Sequence, residues 1–147
     1  MEKFRSLAVR PFGSFIVIVH GSLAPSLDEW HRLLGLFRTH QNLSVLRTLV
    51  CTEGGAPNAA QRADLGAVLG SVKMPIAVVT ESIIARGAGV ALSWLNPALR
   101  VFGPKDFDGA LDHLGATGND GRTLRTIVDE LRRELLTSSL PPARRDF

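Results

Sequence analysis

The sequence contains a single cysteine and no tyrosine, and it has no long apolar segment. The lone Cys51 excludes an internal disulfide and a zinc site built on cysteines, and its place at the end of an apolar run predicts a small buried side chain. No uninterrupted apolar run approaches the roughly 18–20 residues that cross a bilayer, so we expect no transmembrane helix. Residues 1–5 lack the apolar core of a signal peptide. These absences together predict a cytoplasmic protein.

The small excess of positive charge lies in residues 1–73 and is not gathered into a run of like charges. The 17 Lys and Arg residues and the 14 Asp and Glu residues give a net charge of +3, and no block of five like charges occurs. Few aromatic side chains are present to stack on bases, so a nucleic-acid partner is not favoured. The chain has 147 residues, of which 45% are hydrophobic and 21% charged, as expected for one soluble globular domain with a real core.

The order of apolar runs and helical patterns predicts an α/β fold. Runs of β-type residues predict strands at residues 7–12, 15–20, 45–51, 76–80 and 99–102. Apolar residues at helical spacing predict helices that begin near residues 26, 58, 82, 106 and 120. The order ββαβαβαβα, with one more helix, requires parallel neighbours joined by right-handed crossovers. Because the opening hairpin adds one antiparallel strand, we predict a mixed, mostly parallel five-stranded sheet flanked by about four helices.

The last predicted helix, at residues 120–137, is an amphipathic addition to this sheet. Its apolar stripe needs a partner surface, and the commonest one is the helix's own domain, with a dimer or another protein as the alternative. We therefore divide the chain into an α/β domain at residues 1–116, an additional C-terminal helix at 117–140 and a flexible tail at 141–147. The stripe consists of Leu124, Ile127, Val128, Leu131 and Leu135.

Capping boxes mark the beginnings of two predicted helices. Ser26 and Glu29 fit the S-x-x-E pattern before the first helix, and Asn58 and Gln61 take the corresponding positions before the second. In each pair the first side chain accepts a backbone hydrogen bond and the second reaches back to the cap. Both helix starts are therefore predicted from local sequence.

The helix predicted at residues 82–95 is rich in small residues. We expect Gly87 and Gly89 to let it approach the sheet closely, although each weakens the helix by about 1 kcal/mol relative to alanine. Trp94, late in the same helix, is expected in the core, with an exposed apolar patch as the alternative.

Polar residues follow three predicted parallel strands at their carboxyl ends, where ligands usually bind in such sheets. The loop at residues 52–58 follows the third strand, and the N–H groups of its glycines, with the next helix N-terminus, could hold an anion. The alternative is that the glycines only form a turn, that Asn58 only caps a helix and that Arg62 is solvated. The candidate binding residues at this rim are His20, Glu53, Gly54, Gly55, Asn58, Arg62, Thr80, Glu81 and Arg86.

The element order and three local patterns resemble the STAS domain family, of the SpoIIAA-like, anti-sigma factor antagonist type. The patterns are the strand at residues 15–19 with its following helix, the strand that ends in Cys51 and Thr52, and the strand at residues 76–80 with its following helix. The resemblance covers about residues 4–116. It implies a small, non-catalytic regulatory module that binds another protein or a ligand.

The chain departs from this family at the phosphorylation motif. In anti-sigma factor antagonists the loop after the third strand resembles Asp-Ser-Ser-Gly, and a partner kinase phosphorylates its serine. Here the 52–58 loop contains no serine, and Thr52 lies at the strand end rather than at the helix start. We therefore predict a STAS-like module without a phosphoswitch, in which Thr52 is not phosphorylated.

The chain contains the residue types that an enzyme at the rim would need, but it lacks the sequence motifs in which such residues usually occur. A hydrolase needs a nucleophile, a base and an orienting acid, for which Ser22 or Ser82, His20 and Glu53 are available. Neither serine lies in a G-x-S-x-G elbow, and no dinucleotide or phosphate-loop fingerprint occurs. The histidines lack metal-binding spacing, so we predict no metal and no cofactor.

Three functions remain, in order of preference. The first is a non-enzymatic module that binds another protein or a second copy of itself, which predicts an exposed apolar patch. The second is a module that binds a small apolar molecule or lipid at the rim, which predicts an enclosed apolar cavity. The third is a small hydrolase, which requires His20 within hydrogen-bond reach of Glu53 or a serine.

Overall fold

One mixed sheet organises the fold. The computed structural model describes residues 6–139, and the predicted tail at residues 141–147 lies outside the described residues. The strands are β1 (Leu7–Phe12), β2 (Phe15–His20), β3 (Arg47–Thr52), β4 (Ile76–Val79) and β5 (Leu99–Phe102), and they lie in that order across the sheet. β1 is antiparallel to β2, and the other neighbours are parallel. The predicted mostly parallel five-stranded sheet is confirmed.

The helices begin close to the predicted residues. They are α1 (Leu27–Arg38), α2 (Ala59–Leu69), α3 (Ile83–Ser93), α4 (Phe107–His113) and α5 (Asn119–Ser139). Both capping boxes are present: the backbone N–H of Glu29 donates to Ser26 Oγ at 3.2 Å, and that of Gln61 donates to Asn58 Oδ1 at 2.8 Å. Local sequence therefore fixed these two helix starts.

The sheet divides the hydrophobic core into two halves. Because each parallel crossover moves the same way across the sheet, right-handed connections place α1, α2 and α3 on one face. Residues of these helices pack with Ile16 and Ile18 of β2, whereas residues of α4 and α5 pack with Val17 and Val19 of the same strand. Alternation along β2 therefore assigns each of its side chains to one half.

The C-terminal helix completes the second half of the core. All members of its apolar stripe are buried, and α5 packs on β1 and β2. Arg10 of β1 forms ion pairs with Glu130 and with Glu134, the latter at 2.8 Å. The helix therefore packs on its own domain, the commoner of the two predicted outcomes.

Helix α3 packs closely on the sheet at one of its two predicted glycines, and it exposes more apolar surface than its sequence predicts. A Cβ placed on Gly89 would lie 2.7 Å from Val101 Cγ2, so this glycine allows close packing on β5 as predicted. The same prediction was wrong for Gly87, where an added Cβ would meet nothing within 4 Å. The predicted burial of Trp94 was also wrong, because this side chain is 81% exposed. A helix carrying apolar residues on two sides can bury only one of them against a single sheet.

Gly35, in the interior of α1, allows a test of the backbone conformations that the structure assigns to its glycines. Gly35→Ala is expected to raise the free energy of unfolding by about 0.5–1 kcal/mol, because the new methyl group meets nothing within 4 Å and alanine loses less entropy on folding. Gly70→Ala is the matched control: this site is equally open, but its φ of +57° makes alanine destabilising by about 1–2 kcal/mol. Urea unfolding followed by circular dichroism measures both, and equal signs for the two variants would contradict this account.

Candidate functional site

The carboxyl ends of β2, β3 and β4 meet at one rim, as parallel pairing requires. His20 pairs in register with Thr52, and Cys51 with Val79. The loops that follow are tied together: the N–H of Gly55 donates to the Gly21 carbonyl at 2.8 Å. The Thr80 hydroxyl donates to the Thr52 carbonyl at 2.9 Å. The rim is therefore a continuous, hydrogen-bonded surface.

The 52–58 loop is closed by its own hydrogen bonds. The Thr52 hydroxyl donates to the Gly55 carbonyl at 2.6 Å and accepts from the Gly54 N–H at 3.1 Å. Gly54 has a φ of +135°, a conformation that favours glycine. Since the N–H of Gly55 is also bonded to Gly21, both glycine N–H groups that the predicted anion site would use already donate within the chain.

The next two candidate residues stabilise the start of α2. Asn58 is its N-cap, and Gln61 Nε2 also donates to the Pro25 carbonyl at 3.1 Å. The half-buried Arg62 donates from Nη1 to the Pro57 carbonyl at 2.9 Å. The side chains of Asn58 and Arg62 therefore stabilise the end of the 52–58 loop. For Asn58 this is the helix-capping role that the sequence analysis gave as the alternative to ligand binding.

Three further candidate residues, Glu53, Thr80 and Glu81, border an open polar groove of about 500 Å³, whereas Arg86 is exposed on α3 and does not line it. Glu53 and Glu81 are exposed along it, and the buried Thr80 accepts from the Ser82 N–H at 3.0 Å. Arg132 of α5 lines the same groove and was missed in the sequence. In the sequence, Arg132 is one of several arginines on the polar face of α5. The local sequence does not indicate how α5 crosses the sheet, so it does not show that Arg132 lies near the strand ends.

His20 lies below the rim rather than on it. It is 4% exposed, and the alternation of β2 puts its side chain on the same face as Ile16 and Ile18. Burial lowers the pKa of the imidazole to about 4, although the carboxylate of Glu29 raises it in part. The Nδ1 atom of His20 has no hydrogen-bond partner. At neutral pH the side chain is therefore an uncharged, incompletely bonded group in the core.

Glu29 on α1 is the charged group that acts on His20. Its carboxylate accepts from the N–H of Ser6 at 3.0 Å and also from the hydroxyl of that residue. It further accepts from the hydroxyl of Ser26 at 3.1 Å. Burial favours the neutral acid, but these hydrogen bonds outweigh it and leave the pKa of Glu29 below its ordinary value. Hydrogen bonds from Ser6 and Ser26 thus stabilise the ionised carboxylate of the buried Glu29.

The residues of the hydrolase hypothesis are not joined in the part of the chain that the structure describes. No hydrogen bond there links the His20 imidazole to Glu53, Ser22 or Ser82, and Glu53 is exposed while His20 is buried. The only bond between these two residues runs from the Glu53 N–H to the His20 carbonyl at 3.2 Å. Their proximity therefore comes from strand pairing.

Other reactive side chains are also isolated. Burial raises the pKa of the Cys51 thiol to about 12, as its predicted burial implies. Within residues 6–139, no group of three or more His, Cys, Asp or Glu side chains could hold a metal ion.

The outer side of α3, the helix that follows the rim, exposes several large apolar side chains. Ile83, Ile84 and Trp94 are 86%, 77% and 81% exposed. Val90 completes a surface that we call the α3 outer face, defined by these four residues. Ile83, Val90 and Trp94 fall on one helical stripe, and Ile84 lies beside it. The side chains of Ala85, Ala88 and Leu92 are buried on the opposite side.

Comparisons with known proteins leave this site without a counterpart. No protein-family model matches the chain, and no curated protein or solved structure matches it. The STAS-like resemblance therefore rests on the sequence patterns alone. Within the described residues, every helix is too short or too polar to cross a membrane.

Proposed function

We propose that this chain is a STAS-like regulatory module without a phosphoswitch, and that it binds a protein partner through the α3 outer face. The exposure of Ile83, Ile84 and Trp94 beside the strand-end rim supports this function. Such a cluster of large apolar side chains differs from the single exposed residues found on most surfaces.

The two-sided apolar character of α3 is the physical reason for a partner. Large apolar side chains on a helix are normally buried, yet within residues 6–139 only the side of α3 that carries Ala85, Ala88 and Leu92 is buried. Removing apolar surface from water is favourable by about 25 cal/mol per Å². Covering the α3 outer face is therefore favourable. Because no segment within residues 6–139 covers it, we propose that another molecule does.

The composition of this surface is that of a protein interface. Trp94 offers a large, rigid aromatic anchor, and exposed Arg86 lies on the same helix beside the stripe. Glu81 precedes the helix and is exposed as well. An apolar centre with charged residues at its margin is the usual arrangement of a binding patch.

A second copy of the chain is the occupant that these charges favour. In a two-fold dimer the same surface of both copies forms the interface, so each charged residue faces residues of the equivalent surface on the other copy. Arg86 and Glu81 have opposite signs, so two-fold pairing can bring a cation of one copy to an anion of the other. The helix has 11 residues and is only about 16 Å long, so the exposed Leu23 and Leu27 near the rim would add contact area.

Sedimentation equilibrium tests this assignment. We expect the wild-type protein to dimerise reversibly and Ile84→Glu to weaken dimerisation at least tenfold, since a buried, unpaired carboxylate is strongly unfavourable at an interface. Val45→Glu is the matched control. Val45 is 51% exposed and lies before β3, at the opposite end of the sheet, so its substitution should leave the dimer unchanged.

Tryptophan fluorescence provides an independent readout. Trp30 is buried and Trp94 is exposed in the isolated chain, so dimerisation should shift the emission of Trp94 to shorter wavelength as concentration rises. Trp94→Phe removes this signal and leaves that of Trp30. A wild-type protein that stays monomeric, with Trp94 emission unchanged at the highest attainable concentration, would contradict binding of a second copy.

A further inference from the structure

A narrow space of about 60 Å³ lies inside the core, between the sheet and helices α1, α2 and α3. Most of its wall is apolar, and includes Ile18, Trp30, Leu33, Phe37, Leu65 and Val78. Pockets that hold drug-sized ligands have volumes of about 300–1,000 Å³, and a cavity that holds benzene measures about 150 Å³. The space is therefore too small for a lipid or an aromatic ring, and only a molecule of very few atoms fits it.

Two polar side chains meet at the rim end of this space. His20 and Thr52 pair in register on the neighbouring parallel strands β2 and β3, so their side chains project from the same face of the sheet. Both residues line the space, together with Gly55 of the 52–58 loop. Neighbouring strands lie about 4.8 Å apart, and two hydrogen bonds of about 2.8 Å span such a gap through one small molecule.

The Thr52 hydroxyl lacks one of the three hydrogen bonds that it can form. A hydroxyl group donates once and accepts twice. Thr52 Oγ1 donates to the Gly55 carbonyl at 2.6 Å and accepts from the Gly54 N–H at 3.1 Å. Its second lone pair accepts no hydrogen bond from residues 6–139, so one further donor is needed at this atom.

The corresponding atom of His20 is Nδ1. The residue is 4% exposed, and within residues 6–139 Nδ1 has no hydrogen-bond partner. In a neutral imidazole one nitrogen donates and the other accepts, so Nδ1 requires a partner in either tautomer. Because buried polar atoms of native proteins are nearly always hydrogen-bonded, Nδ1 indicates a further partner at this end of the space.

We propose that one buried water molecule bridges His20 Nδ1 and Thr52 Oγ1 beneath the 52–58 loop. The water donates one hydrogen to Thr52 and bonds Nδ1 through its other hydrogen or through a lone pair. A buried water needs about 10–15 Å³ of free volume and two to four polar partners, and this end of the space provides both. The polar side chain toward the other end is Thr48, whose hydroxyl donates to Met74 Sδ at 3.6 Å. One side chain does not hold a buried water, so we expect that end to be dry.

The surroundings favour neutral water over an ammonium ion, which has similar size and also donates hydrogen bonds. A buried ion is strongly unfavourable unless it is paired with an opposite charge. The Glu29 carboxylate acts on His20 electrostatically but does not line the space. It already accepts hydrogen bonds from Ser6 and Ser26. An ammonium ion would therefore have two neutral acceptors and an otherwise apolar wall.

The water connects the core to the rim. The Thr52 hydroxyl closes the 52–58 loop, so a water held by His20 and Thr52 ties this loop to a buried side chain. Ala56 and Pro57 of the same loop also line the space and are half-buried. We therefore expect the water to exchange with solvent when the loop opens, and its residence time to measure that opening.

Oxygen-17 relaxation dispersion of the solvent tests the assignment, because it counts long-lived buried waters without a contribution from exchanging hydroxyl protons. We expect Thr52→Val and His20→Leu each to contain one long-lived water fewer than the wild-type full chain. Thr52→Ser keeps the hydroxyl and should keep the water. Thr48→Val is the matched control on the same face of β3, and its count should equal that of the wild type.

Three results would overturn the proposal. The first is an equal count in the wild type, His20→Leu and Thr52→Val. The second is the loss of a water in Thr48→Val but not in Thr52→Val. The third is a saturable shift of the His20 imidazole ¹⁵N signals with ammonium chloride but not with sodium chloride, which would assign the site to ammonium. Ile84→Glu should keep the water, so failure here and failure of the proposed function are distinguishable.

Discussion

Gly55→Ala is expected to destabilise the fold by roughly 3 kcal/mol or more, at the upper end of what overpacking does. A Cβ at this position would lie 2.1 Å from the Leu23 carbonyl oxygen and 2.8 Å from that of Gly21. Both contacts are with backbone, which cannot move aside as a flexible side chain can. Separation of the loops would also break the 2.8 Å hydrogen bond from the Gly55 N–H to Gly21.

Urea unfolding of Gly55→Ala measures the loss directly, with Gly103→Ala as the matched control. Gly103 also lies in a loop, but its φ of −78° suits any residue and an added Cβ meets nothing within 4 Å. The control should unfold within about 0.5 kcal/mol of the wild type. A stability of Gly55→Ala within the same range of the wild type would contradict the close contact between the 52–58 loop and the loop after β2.

Stability is expected to fall steeply as the pH is lowered from 6.5 to 4, because His20 is buried in its neutral form. The pKa of this imidazole is about 4 in the folded chain and 6.5 when exposed, so between these values the unfolded chain binds the proton more tightly. Protonation therefore favours unfolding, and the loss reaches about 3 kcal/mol below pH 4. Above pH 6.5 the imidazole is neutral in both states and the effect vanishes.

The acid limb of the stability profile distinguishes His20 from the other titrating groups. His20→Leu should flatten the profile between pH 6.5 and 4.5, while His31→Leu, which changes an exposed histidine of α1, should not. The folded pKa of Glu29 is depressed, so the stabilisation from its ionised form is lost only as pH falls through that low value, below this window. An unchanged slope in His20→Leu would show that another group titrates here.

The local sequence predicted the helices and strands because the residues that define them lie within a few positions of one another. The capping boxes of Ser26 with Glu29 and of Asn58 with Gln61 act across a single helical turn, and both are formed. The β-type run at residues 15–20 became a fully buried central strand. The third strand began later than predicted, at Arg47, because residues Leu43–Val45 form a 3₁₀ turn with Asn42 as its cap.

The candidate residues follow the strand ends, but the sequence did not show which of their side chains are accessible there. The sequence shows that His20, Glu53 and Thr80 follow neighbouring strands, but it does not show which face of the sheet each side chain occupies. His20 and Thr80 proved to be buried, whereas Glu53 is exposed. Apart from Pro104, every other residue that lines the polar groove lies at least 50 positions before Arg132 in the sequence. Arg132 reaches the groove only because α5 packs on β1 and β2.

The sequence by itself determined the order of strands and helices, the mixed sheet and the position of the rim, since periodicity, caps and turns act over short distances along the chain. Only the tertiary structure decided which side of α3 is buried, that Trp94 is exposed and that the buried His20 lies close enough to Glu29 for the carboxylate to raise its pKa. The physical reason is that an apolar residue requires burial without specifying the surface that provides it. Helix α3 has more apolar residues than one sheet can cover, and tertiary packing left the α3 outer face as its exposed side.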